Sequence, residues 1–257
     1  MSRPIISEIR RNHMEDLLRK GERLDGREPM EFREISVETD VVESADGSAR
    51  VRMGKTDVIV GIKLIVGTPF PDTPDKGVLS TGAELIPMGH STFESGPPGE
   101  NAIELARVVD RGIRESGMID VQKLCITHGE EVWMCFIDIY SLNYDGNLFD
   151  ASSLAAVAAL KSAIVPAANA GKGEDFPLPV TCTPISVTAA KIANTLILDP
   201  TFDEENIASA RLTATLDENG ILRAMQKGGR GTLSVEEVNA VVVASREKGD
   251  EIRKIIG

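Results

Sequence analysis

Aromatic residues are scarce in this chain: Phe, Trp and Tyr make up 4% of 257 residues, with a single Trp. Aliphatic packing must therefore build the core. The shortage also argues against a module that binds nucleic acid by stacking bases on its rings. Cysteine is scarcer still, with Cys125, Cys135 and Cys182, an odd number and no CxxC pair. That excludes a disulfide framework and fits a reducing compartment. Cys125 and Cys135 lie in apolar, strand-like runs and are expected to be small core residues. The histidines, His13, His90 and His128, are scattered without metal-ligand spacing. No apolar run is long enough to span a membrane and no signal peptide is evident, so the expected location is the cytoplasm. Low-complexity tracts, letter-level repeats and long linkers are also missing.

What is present reads as a globular chain. Its hydrophobic fraction of 42% and charged fraction of 26% are ordinary. Its length allows one large domain or two small fused halves. The net charge of −12 excludes binding to nucleic acid through the overall field. Any polyanion site must be a local cluster or be completed by a partner, and such acidity suits a basic partner.

The periodicity predicts a first helix at 7–20, with apolar positions Ile9, Met14, Leu17 and Leu18 and with Gly21 placed to end it. Alternation predicts strands at 35–42, 49–53 and 58–66, separated by Asp46-Gly47 and Gly54-Lys55 turns. An irregular segment follows from 67 to about 82, then a short strand at 83–87 and a helix at 100–116. Strands are expected at 123–127 and 132–142, and a helix at 150–164 capped by Asp150 or Ser152. The remaining expected strands are 185–191, 195–198, 208–216 and 221–226. Ser234 caps a final helix at 235–256. This order is α+β with antiparallel hairpins dominating.

The helix at 100–116, ENAIELARVVDRGIRES, has two faces. Ala102, Leu105, Ala106, Val109 and Ile113 fall on one side. Arg107, Arg111 and Arg114 fall together on the other, and aligned guanidiniums read phosphate well. An ordinary solvated surface explains the same letters, because Asp110–Arg114 and Arg111–Glu115 are i,i+4 pairs. Asp203, Glu204 and Glu205 read as a solvated acidic run. KGGRGTL at 227–233 lacks the GxxxxGK[ST] spacing and reads as a turn before the last helix.

LDGR at 24–27, GKTDV at 54–58 and ELARVVDRGIRES at 104–116 resemble the RNase PH family of phosphate-dependent exoribonucleases. With DGNLFDASSLAAVAAL at 145–160, the chain is more closely similar to the non-catalytic RNase PH-like subunits of the archaeal exosome. The resemblance runs from about Leu18 to the final helix. It implies one RNase PH-like domain over 1–257 built from two similar βαβ-rich halves with antiparallel and mixed sheets. The halves would span about 25–145 and 146–257, after the N-terminal helix. It also implies a hexameric ring of three heterodimers with a catalytic RNase PH-like subunit, RNA-binding cap subunits on one face, and 3′-to-5′ phosphorolysis of RNA.

Active members carry a DGGTR-like turn that holds phosphate. Here Asp145-Gly146-Asn147-Leu148-Phe149-Asp150 places Leu and Phe at the hydroxyl and guanidinium positions, with Asp150 adding repulsion. They also carry LDLxYxED with a further Asp six residues on. Counted from Leu198-Asp199, those final positions are Glu205 and Arg211, and a guanidinium cannot act as a general acid or hold a cation. The resemblance therefore implies no catalytic residue and no cofactor or metal on this chain, with phosphate and Mg²⁺ at the partner's site. It assigns RNA contacts to Arg107 and Arg111 and leaves Arg114 open. The alternatives are an active phosphorolytic exoribonuclease or nucleotidyltransferase, and a small-molecule enzyme using KGGRGTL.

Overall fold

A computed structural model describes residues 8–257. In chain order the elements are α1 (Glu8–Arg19), β1 (Ile35–Thr39), β2 (Gly47–Met53), β3 (Thr56–Gly67), β4 (Val78–Glu84) and α2 (Glu100–Ser116). A 3₁₀ turn (Val121–Leu124), β5 (Cys125–Thr127), β6 (Glu131–Asn143), α3 (Leu148–Ser162), β7 (Ile164–Val165) and β8 (Phe176–Pro177) follow. The chain closes with β9 (Ile185–Ile192), β10 (Thr195–Leu198), α4 (Phe202–Ile207), β11 (Ala210–Leu216), β12 (Leu222–Gly228) and α5 (Val235–Ile256).

Two sheets carry these elements. The first runs β1-β2-β3-β6-β4, with β5 also on β6, and only the β4–β6 pair is parallel. The second runs β10-β9-β11-β12 and is wholly antiparallel. β7 and β8 form a separate short pair. The α+β reading holds, with mixed and antiparallel sheets.

Helices α2 and α3 lie between the two sheets. α3 packs on β2 and β3 of the first and on β9 of the second, while α2 touches β4, α3 and β12. Every α3 residue from Leu148 to Leu160 is buried. Burial on every side marks a helix of the core, although it carries the polar Asp150, Ser152 and Ser153, and its alanines let the layers approach closely. At Gly47 a Cβ would stand 2.6 Å from the Ala159 carbonyl oxygen, so only glycine fits there. α5 covers β9 and β11. α1 packs Met14 and Leu18 on Ala190, Ile192, Ile197 and Ile207. The N-terminal helix thus belongs to the C-terminal sheet.

Several boundaries differ from the sequence expectation for local reasons. Ser7 lies outside the described residues, and Ile9 is exposed rather than apolar core. β4 starts at Val78, inside the segment expected to be irregular, because its parallel pairing with β6 supplies the order that the letters do not show. α3 begins at Leu148 behind Asn147, which adopts a left-handed φ of 53°, and neither Asp150 nor Ser152 caps it. Cys135 is buried and its thiol is pushed up to about 12 by burial, whereas Cys125 is only half-buried. Among the described residues no helix is long and apolar enough to cross a membrane.

Candidate nucleic-acid interface

α2 buries the expected stripe, Ala102, Leu105, Ala106, Val109 and Ile113, and its end is turned by Gly117 at φ 68°. The arginines opposite do not act as one row. Arg107 is exposed and makes no hydrogen bond or ion pair among the described residues. Arg111 is half-buried and donates from Nη1 to Gln226 Oε1 at 2.8 Å. Arg114 donates to both Asp110 oxygens, at 2.8 and 3.0 Å, and to the Leu79 carbonyl at 3.1 Å. The helix pitch explains the split. Arg111 lies about 40° to one side of Arg107 and Arg114 about 20° to the other. The first therefore leans toward β12 and the second toward β4.

Below the N-terminal half of α2 is a cleft of about 320 Å³, lined by Phe93, Asn101, Tyr144, Phe202, Glu205, Arg211 and others. A recess of about 120 Å³ continues it past Leu148 and Phe149. Arg211 lies over the Phe149 ring, 3.9 Å from its centroid, and pairs with Glu104 at 2.7 Å. On β12, opposite Arg211, a Cβ at Gly228 would stand 2.8 Å from Nη2, so glycine makes room for the guanidinium. Leu148 and Phe149 are both 8% exposed, packed into the recess instead of presenting donors. Glu205 accepts from Tyr144 Oη at 2.5 Å and from the Asn147 N–H at 2.9 Å. Burial raises its carboxyl, and burial with the neighbouring Glu205 raises the Tyr144 hydroxyl well above its usual value.

Asp150 does not face this cleft as a repulsive charge. It is 2% exposed, and its oxygens accept from the Thr188 N–H, the Thr188 hydroxyl and Asn147 Nδ2. The acidic run is not solvated either. Glu204 is 2% exposed, accepts two hydrogen bonds from Arg23 at 2.8 and 2.5 Å, and closes a capping box with Thr201. Asp203 pairs with Arg10. The helical turn of α4 explains the difference: it rotates consecutive carboxylates to different sides.

The arginines around LDGR form a clasp on the C-terminal half. Arg27 and Arg33 pair with Asp199 at 3.0 and 2.7 Å, and Asp199 is fully buried. Arg23 adds the Leu198 and Asp199 carbonyls, and Arg33 the Asp145 carbonyl. Burial pushes the Asp199 carboxyl up, but the hydrogen bonds and charge of Arg33 outweigh it and hold it below the usual range. No letter pattern discloses Gln226, nor the partners of Asp199, which are remote in sequence. KGGRGTL begins as the end of β12 and continues as a turn, with the Gly231 N–H on the Ser209 carbonyl at 2.7 Å.

Two sheets around a buried central helix, with a cleft at their junction, define the RNase PH type of protein. The 3′ exoribonuclease family model matches as domain 1 over residues 31–166 and as domain 2 over residues 182–248, and the chain belongs to that family. Within it the chain is similar to the exosome complex component Rrp42. The Methanocella arvoryzae protein of that name is 51% identical, covering 99% of this chain and 98% of its own. The Thermococcus kodakarensis one is 48% identical over 97% and 95%. A solved Archaeoglobus fulgidus exosome with RNA bound to the active site contains a chain that is 46% identical with a TM-score of 0.95, covering 97% of this chain and 98% of that one. Rice Rrp46, at 19% identity and a TM-score of 0.71, shares the fold.

Proposed function

We propose that the chain is a non-catalytic subunit of an archaeal RNA exosome, working in the cytoplasm. It pairs with a catalytic RNase PH-like subunit, three such heterodimers forming a hexameric ring beneath RNA-binding cap subunits. The observation that carries this reading is Arg211. It stands where the family's active pattern has a carboxylate, and it is clamped between Phe149 and Glu104. It can neither donate a proton to a leaving oxygen nor hold a cation. The phosphate-holding turn has likewise become Leu148 and Phe149, both buried. Phosphate and Mg²⁺ then act at the partner's site. Alone, the purified chain is expected to release no nucleoside diphosphate from poly(A) with phosphate and Mg²⁺, and mixing it with the catalytic partner restores release. Robust release by the lone chain would instead favour the alternative, an active exoribonuclease or nucleotidyltransferase using the 320 Å³ cleft.

The chain's contribution to RNA is electrostatic. Arg107 and Arg111 contact backbone phosphates of RNA whose 3′ end lies in the partner, which positions the strand without reading bases. Arg114, neutralised by Asp110, stays out of the track. Arg107→Glu with Arg111→Glu is expected to leave ring assembly intact on a sizing column. KM for RNA should rise on the order of tenfold at low salt, with the difference shrinking as KCl increases. An unchanged KM would remove both residues from the RNA path.

A further inference from the structure

Four guanidiniums stand on or beside the outer face of α2, and they differ in what holds them. Arg114 is paired with the Asp110 carboxylate and Arg211 with the Glu104 carboxylate. Arg107 has no partner among the described residues. Arg111 is held at 2.8 Å by the neutral side-chain amide of Gln226, and it makes no ion pair within 4.0 Å among the described residues. A carboxylate at that place would fix the guanidinium and cancel its charge. An amide oxygen fixes it and cancels nothing.

The packing makes this contact a built one. Ala224, Gln226 and Gly228 alternate along β12, which places them on one face of the strand. That face meets α2, since Gln226 reaches Arg111 and Gly228 makes room for the β11 residue Arg211, which pairs with Glu104 of α2. Gly112 brings the helix down on β11, where an added Cβ would already stand 3.4 Å from Thr215. The Arg111 stem lies over a small recess lined by Thr213, Thr215 and Ala224 and meets Gln226 at its edge. One of five guanidinium N–H groups is engaged, which leaves four for an anionic oxygen. An arginine already ordered gives up less rotamer freedom when it binds.

We propose that Gln226 is a positioning residue that presents Arg111 to an RNA phosphate in a fixed orientation with its full charge. This rests on the reading that Arg111 contacts RNA, and the test separates the two. The assembled ring is titrated with fluorescein-labelled single-stranded RNA of mixed sequence across a range of KCl, by anisotropy, and KM and kcat are measured in parallel. Arg111→Ala is expected to weaken binding and to lower the magnitude of the salt slope by about 0.7, the value for one fewer neutralised phosphate on a single strand. Gln226→Ala should weaken binding about two- to fivefold, the worth of one positioned hydrogen bond, with the slope kept because the charge remains. Gln226→Met, which keeps the side-chain length, should behave likewise and guards against a packing artefact. Gln226→Glu should lower the slope as Arg111→Ala does, because the charge is now paired. In all three Gln226 variants KM changes and kcat does not. Gln226→Ala added to Arg111→Ala should cause no further loss. If Arg111→Ala alone is silent, the RNA-contact reading fails and the positioning role with it. If Arg111→Ala weakens binding but Gln226→Ala and Gln226→Met are silent, or their losses add to that of Arg111→Ala, Gln226 does not act through Arg111 and only the present inference is overturned.

Discussion

Asp199→Ala is expected to destabilise the chain by about 3–5 kcal/mol, the range for breaking a buried ion pair from one side. Asp199 is 0% exposed and accepts from Arg27 Nη1, Arg33 Nε, Arg33 Nη2, the Arg33 N–H and Asn147 Nδ2. Its loss removes the buried counter-charge that Arg27 and Arg33 share, leaving Arg27 the half-exposed Asp25 at 2.8 Å, Arg33 only Asp145 at 3.9 Å, and the Asn147 amide only Asp150. Arg23 keeps Glu204, so the clasp is weakened at one of its two anchors. Denaturant titration measures this as a lower midpoint at unchanged slope. A loss below about 1 kcal/mol would mean that water or rearranged partners replace the carboxylate. Acid has a related effect. The folded Asp199 carboxyl sits below its ordinary value of 3.8. Its contribution is therefore fully present above that value and is lost as pH falls through the lower, folded one. The variant should lack that part of the acid sensitivity.

Asp150→Asn is expected to act in the opposite direction. Burial pushes the Asp150 carboxyl up to about 7, against hydrogen bonds from Thr188 and Asn147 that lower it. In the unfolded chain the group ionises near 3.8. The raised folded value means that its contribution is fully present below the unfolded pKa and is lost as pH rises through the folded one. Between those values the folded form keeps a proton that the unfolded form has released. The native protein should therefore lose on the order of 2–4 kcal/mol from this group between about pH 4 and pH 8. Asparagine reproduces the protonated side chain: its oxygen can accept from the Thr188 and Asn147 N–H groups while its amide donates to the Thr188 hydroxyl. The variant should be more stable at about pH 8, and the difference between the two denaturation curves should grow across that window. Parallel curves would show that Asp150 is ionised in the fold throughout.

Much of the architecture is legible in the letters. The bounds of α2, β10 and α5 match the periodic and capping signals, because amphipathic spacing and a Ser234 cap are local properties. The letters misplace β4 because a parallel strand takes its order from a neighbour more than 50 residues away in sequence. They mislead at the acidic run 203–205 for a related reason: only the turn of α4 and the remote Arg23, Arg10 and Tyr144 assign each carboxylate its place. At the candidate site, the losses at Leu148, Phe149 and Arg211 are plain in the sequence. Their packing into one another is not.

By itself, the sequence determined the class of fold and a helix with arginines on its outer face; read against the active family pattern, it also placed Leu, Phe and Arg at 148, 149 and 211. These follow from residue identity and short-range spacing, which chain chemistry sets before folding. Tertiary structure decided what each charge is worth. Arg107, Arg111 and Arg114 share one side of the helix, with Arg111 and Arg114 offset from Arg107 by only about 40° and about 20°. Packing of α2 between β4 and β12 gives Arg114 a carboxylate, gives Arg111 a neutral amide and leaves Arg107 bare among the described residues. Coulomb energy depends on distance and surroundings, and both are properties of the folded molecule.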